Sequence, residues 1–265
     1  ALRPEQQVMT APQQLLLARG VTHCYGGFRA LSNVDLSLAQ GELVSVVGPN
    51  GAGKTTLVHT LTGYLRPTHG SVEFLGRSIA GEDAVVLTAR GLARSFQLVN
   101  VFPELTVQAA LSVGAVSHLK IGNRLVSAID RNQKVQEIVI QIAEAFGLVE
   151  VLEKTCNLLP HGKRKLLDVA CAFTLHPRVI LLDEPTAGVS SADKHSVMET
   201  LLAAAQRMGI GAILLIEHDM DLVRRYSSRI VAMRGGEKIA DMPPDEFFSS
   251  DEVLGVVLGK QVQQS

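Results

Sequence analysis

The chain has 265 residues with a formal net charge of −1, and 46% of its residues are hydrophobic. This length suits one large α/β domain or two small ones, and the apolar content can supply a sizeable core. The near-neutral charge argues against a dedicated nucleic-acid binder, and no apolar run approaches the ~18–20 residues of a membrane span.

The first predicted elements are a tail and a group of short strands. Residues 1–13 are rich in Gln and Pro and are predicted to be a disordered tail. Strands are predicted over residues 15–18, 34–38, 42–47 and 71–74, with turns at Gly26-Gly27 and Gly70. Tyr25 precedes the first turn, and from the residues alone it is either a ring that stacks on a base or an exposed loop aromatic.

The most specific motif follows the strand over residues 42–47 and precedes a predicted helix over residues 55–61. It fits G-x-x-x-x-G-K-[ST], the phosphate-binding loop. Its glycines let successive N–H groups point into one concavity, and the helix adds its positive end. Lys54 is predicted to contact the β- and γ-phosphates, and the Thr55 hydroxyl to ligate Mg²⁺. The loop residues predicted to bind nucleotide are Gly48, Pro49, Asn50, Gly51, Ala52, Gly53, Lys54, Thr55 and Thr56.

The middle of the chain is predicted to be mainly helical. A short apolar run at residues 92–96 leads to Gln97, whose amide can ligate Mg²⁺ although a surface role is the default for this residue type. A long helical tract with an amphipathic pattern is predicted from Thr106 to about Phe146. A second helix is predicted over residues 161–175, with Pro160 suited to its first turn.

Two apolar strands near the carboxyl end are each followed by polar residues. The strand over residues 179–182 is almost wholly aliphatic, as in a parallel sheet that is buried on both faces. At the edge beside the phosphate loop, Asp183 suits a Mg²⁺ ligand and Glu184 a general base that polarises a water. After the strand over residues 211–216, His218 can donate a hydrogen bond to a γ-phosphate oxygen or to the attacking water. The remaining predicted elements are helices over residues 192–208 and 220–226, a strand over residues 230–233, a hairpin turn at Gly235-Gly236 and a short helix that includes residues 253–258.

The order of these motifs resembles the ATP-binding subunits of ABC transporters over about residues 15–260. The resemblance rests on Tyr25, the loop at residues 48–56, Phe96-Gln97, Leu159-Pro160-His161-Gly162-Lys163, Leu182-Asp183-Glu184-Pro185 and His218. It implies an α/β P-loop NTPase (RecA-like) fold with an N-terminal antiparallel β subdomain and an inserted α-helical subdomain. The implied boundaries are 14–260 for the ATP-binding domain, about 99–172 for the helical subdomain and 261–265 for a tail.

The resemblance also implies partners and roles. Tyr25 would stack on adenine, and Gln97 would bind nucleotide and Mg²⁺ in a loop beside the coupling helices of transmembrane permease subunits. ATP and Mg²⁺ would be the cofactors, a solute-binding protein an indirect partner, and the location the cytoplasmic face of the inner membrane. No charged-then-apolar signal segment opens the chain, in keeping with that location. Residues 93–97, 184–189 and 215–220 resemble the branch that imports branched-chain amino acids, urea and amides.

The segment at residues 159–163 departs from the family signature, Leu-Ser-Gly-Gly-Gln. In the family, its Ser and glycine amides cap the γ-phosphate of ATP bound to the opposite subunit. Pro160 has neither a hydroxyl nor a backbone N–H, and Lys163 adds a charge that offsets part of the loss. Ser190 stands where most relatives have Asp at the dimer interface. These losses predict a heterodimer with a second ATP-binding subunit, in which one composite site hydrolyses faster than the other.

Two other classes share a phosphate loop. Soluble ABC ATPases of translation or DNA repair usually have two cassettes or a long coiled coil, and this chain has neither pattern. A P-loop kinase of small molecules would leave Tyr25, the signature region and His218 unexplained. We therefore predict an ATP-hydrolysing importer subunit for branched-chain amino acids. The alternatives are an importer of urea or short-chain amides, or a soluble non-transport ABC ATPase.

Overall fold

A computed structural model describes residues 13–95, 102–121 and 132–258 of the chain. The described strands form an antiparallel sheet in the order β2-β1-β4-β5 and a second sheet in the order β10-β9-β3-β8-β7-β6. The strands are β1 Gln14–Tyr25, β2 Phe28–Ala39, β3 Leu43–Val47, β4 His69–Phe74, β5 Arg77–Ser78, β6 Leu92–Arg94, β7 Val179–Asp183, β8 Ala212–Ile216, β9 Arg229–Arg234 and β10 Glu237–Met242.

Helices connect and cover these strands. They are α1 Lys54–Leu61, α2 Ala84–Ala89, α3 Val107–His118, α4 Gln133–Ala145, α5 His161–Phe173, α6 Ser191–Arg207, α7 Met220–Tyr226, α8 Pro244–Ser249 and α9 Asp251–Val257, with 3₁₀ turns at Val149–Val151 and Cys156–Leu158. Side chains cap several of their first turns. Asn132 accepts from two backbone N–H groups of α4, and Thr106 accepts from Ala109 N of α3.

The second sheet is the centre of the molecule. Its strands pair in parallel except for the β9–β10 hairpin, and β7 and β8 are apolar and almost wholly buried. Because successive side chains alternate between faces, Leu181 and Leu214 pack toward α1 and the antiparallel sheet, whereas Ile180 and Leu215 pack toward α3, α4, α5 and α6. The carboxyl ends of β3, β7 and β8 therefore meet at one edge, where the polar residues of the predicted site begin.

The amino-terminal strands are longer than predicted. The sequence predicted strands over residues 15–18 and 34–38, but β1 and β2 each contain 12 residues and pair from Gln14↔Ala39 to Tyr25↔Phe28. The predicted turn at Gly26-Gly27 joins them. Register shifts interrupt the pairing at several points, which breaks the simple alternation of apolar and polar residues that sequence patterns rely on.

The single helical tract predicted from Thr106 to Phe146 is wrong. The first helix, α3, ends at His118, and the next described helix begins at Gln133. Lys120 adopts a left-handed conformation with φ 55°, and Lys120 N and Ile121 N donate to Ser117 O and Val116 O. This is a Schellman ending. Glycine is the usual residue at that left-handed position, so a lysine there gave no signal of the break.

A smaller correction concerns the carboxyl half of the chain. Helix α5 ends at Phe173 rather than at residue 175, because the chain turns at His176, which has φ 49°. Cys156 and Cys171 are buried free thiols, and burial raises the pKa of both, which favours an unreactive structural role. Among the described residues, no helix combines the length and apolar character that crossing a membrane requires.

Candidate active site

The phosphate-binding loop lies between β3 and α1 and depends on glycine at two close approaches. Gly48 has φ 150°, and a Cβ there would lie 2.2 Å from Met233 O. Gly53 has φ 96°, and a Cβ there would lie 2.7 Å from Ala30 O. A larger residue at either position would collide with backbone, so the two glycines let the loop fold tightly against β2 and β9.

Lys54 begins α1 with its side chain folded back under the loop. Its Nζ donates to Gly48 O at 2.7 Å and to Pro49 O at 3.0 Å, and the residue is only 7% exposed. Burial lowers the pKa of Lys54, while the charges of Glu184 and Asp183 act in the opposite direction. A phosphate beside it would add negative charge and favour the ammonium further.

An open cleft of about 270 Å³ unites residues that are far apart in the sequence. The predicted site residues that line it are Tyr25, Asn50, Gly51, Ala52, Gly53, Lys54, Thr55, Thr56, Asp183, Glu184 and His218. Phe28, Ala30 and Ile216 also line the cleft, and none of them was predicted as a site residue. Gly48 and Pro49 contribute the carbonyl groups that hold Lys54.

Glu184 and His218 meet at the edge between β7 and β8. Glu184 Oε1 lies 2.6 Å from His218 Nε2, and the ring N–H donates because a carboxylate can only accept. Glu184 has φ 49°, a left-handed conformation that is uncommon for a residue with a side chain and is often found at functional sites. Its backbone N–H donates to Ile216 O at 3.0 Å, which ties the two strand ends together.

Asp183 is paired with a cation that the sequence did not single out for chemistry. Arg94, the last residue of β6, places Nη2 3.1 Å from Asp183 Oδ2. Among the described residues, the buried Nε of Arg94 has no hydrogen-bond partner. Because β6 and β7 are adjacent parallel strands, their carboxyl ends bring the two side chains together. No local sequence pattern could have indicated this pair, which spans 89 positions.

Two aromatic rings stand at the mouth of the cleft. Tyr25 ends β1 and pairs across the hairpin with Phe28, the first residue of β2. The two residues are 49% and 67% exposed, so both rings are accessible to a ligand. The His23 ring packs edge-on against Tyr25 with a centroid distance of 4.7 Å. A two-residue hairpin turn at Gly26-Gly27 would place Phe28 opposite Tyr25. The sequence analysis predicted the turn but not this pairing.

The signature-like segment lies outside the cleft, at the start of α5. Leu159 is buried, Pro160 is the N-cap, and no side chain caps this helix. The His161 ring covers Gly188, where a Cβ would lie 2.7 Å from His161 Cε1. Gly162 and Lys163 continue the first turn of α5, and Ser190, the N-cap of α6, donates from Oγ to Asp193 Oδ2 at 2.6 Å. Gln97 lies outside the described residues, as do Phe96 and most of residues 1–13.

Comparison with known proteins gives one family. Residues 31–187 match the family described as ABC transporter. The chain is 34% identical to the "High-affinity branched-chain amino acid transport ATP-binding protein LivG" of Salmonella typhimurium, over 94% of this chain and 99% of that protein. It is 32% identical to the corresponding protein BraF of Pseudomonas aeruginosa, over 93% of this chain and 98% of that protein. A crystal structure of an ATP-binding cassette of an ABC transporter in its ADP conformation superimposes with a TM-score of 0.80 at 26% identity, covering 93% and 99% of the two chains.

Proposed function

The chain belongs to the ABC transporter family as an ATP-hydrolysing importer subunit, and we propose that the imported solute is a branched-chain amino acid. The assignment of this solute rests on the similarity to LivG and BraF along more than nine-tenths of the chain. The geometry of the site supports ATP chemistry and does not identify a particular solute. The urea and amide importers and the soluble ABC ATPases are not favoured.

We assign nucleotide binding to the cleft and the loop around α1. The N–H groups of residues 50–56 and the positive end of α1 would receive the phosphates. Lys54 would reach the β- and γ-phosphates with its ammonium. The base would lie against Tyr25 at the mouth of the same cleft, where Phe28 offers a second ring.

The residues present fit a Mg²⁺ ion that arrives with ATP. In the part of the chain that the structure describes, no group of three or more His, Cys, Asp or Glu side chains could hold a metal ion. Mg²⁺ suits such a site, because it is usually bound through one or two protein oxygens and the substrate phosphates. The Thr55 hydroxyl, Asp183 and Gln97 would hold it. To do so, Asp183 would give up its ion pair with Arg94 and contact the ion instead. When bound, Mg²⁺ neutralises charge on the β- and γ-phosphates.

Glu184 would act as the general base in hydrolysis. A water oxygen attacks the γ-phosphorus, the bond to the β–γ bridging oxygen breaks, and ADP and phosphate form as the water proton passes to Glu184. His218 Nε2 lies 2.6 Å from this carboxylate, so the ring N–H orients Glu184. During hydrolysis the same N–H would donate to the water or to a γ-phosphate oxygen.

The exposed aromatic pair gives a prediction for base recognition. We expect Tyr25→Ala to weaken ATP binding by about 1–3 kcal/mol, the usual contribution of one base–aromatic stack. Phe28→Ala should weaken it too, because the second ring lines the same cleft. Fluorescence titration with ATP measures the loss. Tripolyphosphate, which has no base, should bind both variants as it binds the wild type.

Tyr64→Ala is the matched control, because Tyr64 is a 71% exposed tyrosine that does not line the nucleotide cleft. It should bind ATP as the wild type does. Equal losses for ATP and tripolyphosphate in Tyr25→Ala would contradict stacking and would indicate a change in the phosphate loop instead.

We also propose that the active site is completed by a second ATP-binding subunit. The cleft of about 270 Å³ is open and smaller than the roughly 300–1,000 Å³ of most ligand pockets. The segment at residues 159–163 would face the ATP of that partner. Because Pro160 lacks a hydroxyl and an N–H, a heterodimer with one stronger and one weaker site is favoured. Ser190 would lie at the same interface.

Transport requires permease subunits, and we propose that this chain docks on them at the cytoplasmic face of the membrane, beside Gln97. A solute-binding protein would deliver the amino acid on the other side. The test is co-expression with the permease subunits of a branched-chain amino acid importer, followed by purification of the complex and an ATPase assay with leucine-loaded binding protein. Leucine-stimulated hydrolysis supports the proposal. Stimulation by urea or a short-chain amide, and not by leucine, would overturn the solute assignment.

A further inference from the structure

We infer that Glu217 is a positioning residue whose buried carboxyl group holds the chain segments of Glu184 and His218 in register. The inference rests on the proposed function, because those two residues carry the proposed hydrolysis. Glu217 follows β8 directly and is only 4% exposed, which is rare for an acidic residue. Such burial requires partners, and the partners identify its role.

Glu217 bridges the two segments with both carboxyl oxygens. Its Oε1 accepts from Thr186 Oγ1 at 2.6 Å and from Thr186 N at 3.4 Å. Its Oε2 accepts from His218 N at 3.2 Å. One carboxyl group thus fixes the turn two residues after Glu184 and the backbone of His218 itself.

The strands alone do not fix this geometry. The link from Glu184 N to Ile216 O joins the ends of β7 and β8, and the chain then leaves the sheet in both segments. Glu184 is in the left-handed region with φ 49°, a conformation that persists only where the surroundings impose it. Thr186, 1% exposed, anchors the turn that includes the hydrogen bond from Ala187 N to Glu184 O. The Glu217–Thr186 contact is therefore placed to impose the conformation of the base.

A second tether lies on the other side of His218 and is more exposed. Asp219 Oδ2 accepts from Lys194 Nζ at 2.8 Å, and both side chains are about one-quarter exposed, at 28% and 25%. The hydrogen bond from Lys194 holds the pKa of Asp219 below its usual range. Because solvent screens exposed ion pairs, this contact should matter less than the buried one, and Lys194 provides a matched control.

Thr186→Val tests the inference, because it removes the hydroxyl and keeps the shape of the side chain. In the purified transporter complex, we expect kcat for ATP hydrolysis to fall by about 10- to 100-fold, the scale of a roughly 1 Å misplacement of reacting groups. The Kd for ATP should stay within about threefold, because the phosphate loop is not altered. Thr186→Ser, which keeps the hydroxyl, should restore most of kcat. Lys194→Met should change kcat by less than about threefold.

A double substitution separates positioning from a general loss of structure. If Glu217 acts by positioning Glu184, Thr186→Val should add little to the loss already caused by Glu184→Gln. A merely structural role predicts additive losses, weaker ATP binding and a lower Tm. Glu217→Gln is the second probe, since an amide cannot accept on both of its terminal atoms, and it should lower kcat with unchanged ATP affinity.

Two outcomes would overturn the inference. One is a Thr186→Val complex that hydrolyses ATP within about threefold of the wild type. The other is a parallel loss of ATP binding, Tm and activity in both Thr186→Val and Glu217→Gln, which includes failure of both variants to fold. If the wild-type complex hydrolyses no ATP, the proposed function fails instead, so the two failures are distinguishable.

Discussion

We expect Glu184→Gln to lower kcat for ATP hydrolysis by about 10²–10⁴-fold, the usual contribution of a positioned general base. Glutamine has nearly the same shape and cannot take a proton from water. The Kd for ATP should change little, because the proposed contact of Glu184 is with the reacting water rather than with the adenine ring or the phosphate loop. Phosphate release by the purified complex and ATP titration give the two constants.

The same variant tests the asymmetry that Pro160 predicts. In a heterodimer, Glu184→Gln in this chain alone should remove most of the ATPase activity of the complex, because the site with the stronger signature is lost. Substitution of the corresponding glutamate of the partner subunit should leave most of the activity. Near-wild-type activity with Glu184→Gln in this chain would contradict both the role of the base and the asymmetry.

The second large effect is expected for Lys54→Met, which should weaken ATP binding by about 1.5–3 kcal/mol, or roughly 10- to 150-fold. The substitution removes a charged donor that is only 7% exposed and whose Nζ also holds Gly48 O and Pro49 O. Methionine keeps most of the length and the apolar stem of lysine. Isothermal titration with ATP measures the change in Kd.

Lys134→Met is the matched control, because Lys134 is an exposed lysine on α4 that does not line the cleft. Its Kd for ATP should equal that of the wild type. A Lys54→Met protein that binds ATP as tightly as this control would show that Lys54 does not contact the phosphates.

The parts of the site that the sequence predicted are those encoded locally. The phosphate loop can be identified because glycines, a lysine and a threonine at fixed spacing determine its backbone and its charge together. Asp183, Glu184 and His218 could be placed near it because parallel strands end at one edge of a sheet. These residues do line one cleft with the loop, and predicting this did not require knowledge of contacts between distant residues.

The parts that were missed depend on pairs of residues distant in the chain or on uncommon local conformations. Arg94 and Asp183 are 89 positions apart, and Thr186 and Glu217 are 31 positions apart, and neither pair has a spacing rule. The helical tract was predicted as continuous because a left-handed lysine, Lys120, ends α3 where glycine would normally signal the end.

The central claim is that ATP hydrolysis at this site drives import of a branched-chain amino acid. Its most direct test is uptake of radiolabelled leucine by proteoliposomes that contain the complete transporter, the binding protein and internal ATP. We predict ATP-dependent leucine uptake that is inhibited by competing isoleucine and valine. Glu184→Gln in this chain should reduce the uptake at least tenfold, in line with the loss of a general base. Leucine uptake that is unchanged by Glu184→Gln, or ATP hydrolysis without any leucine uptake, would contradict the claim.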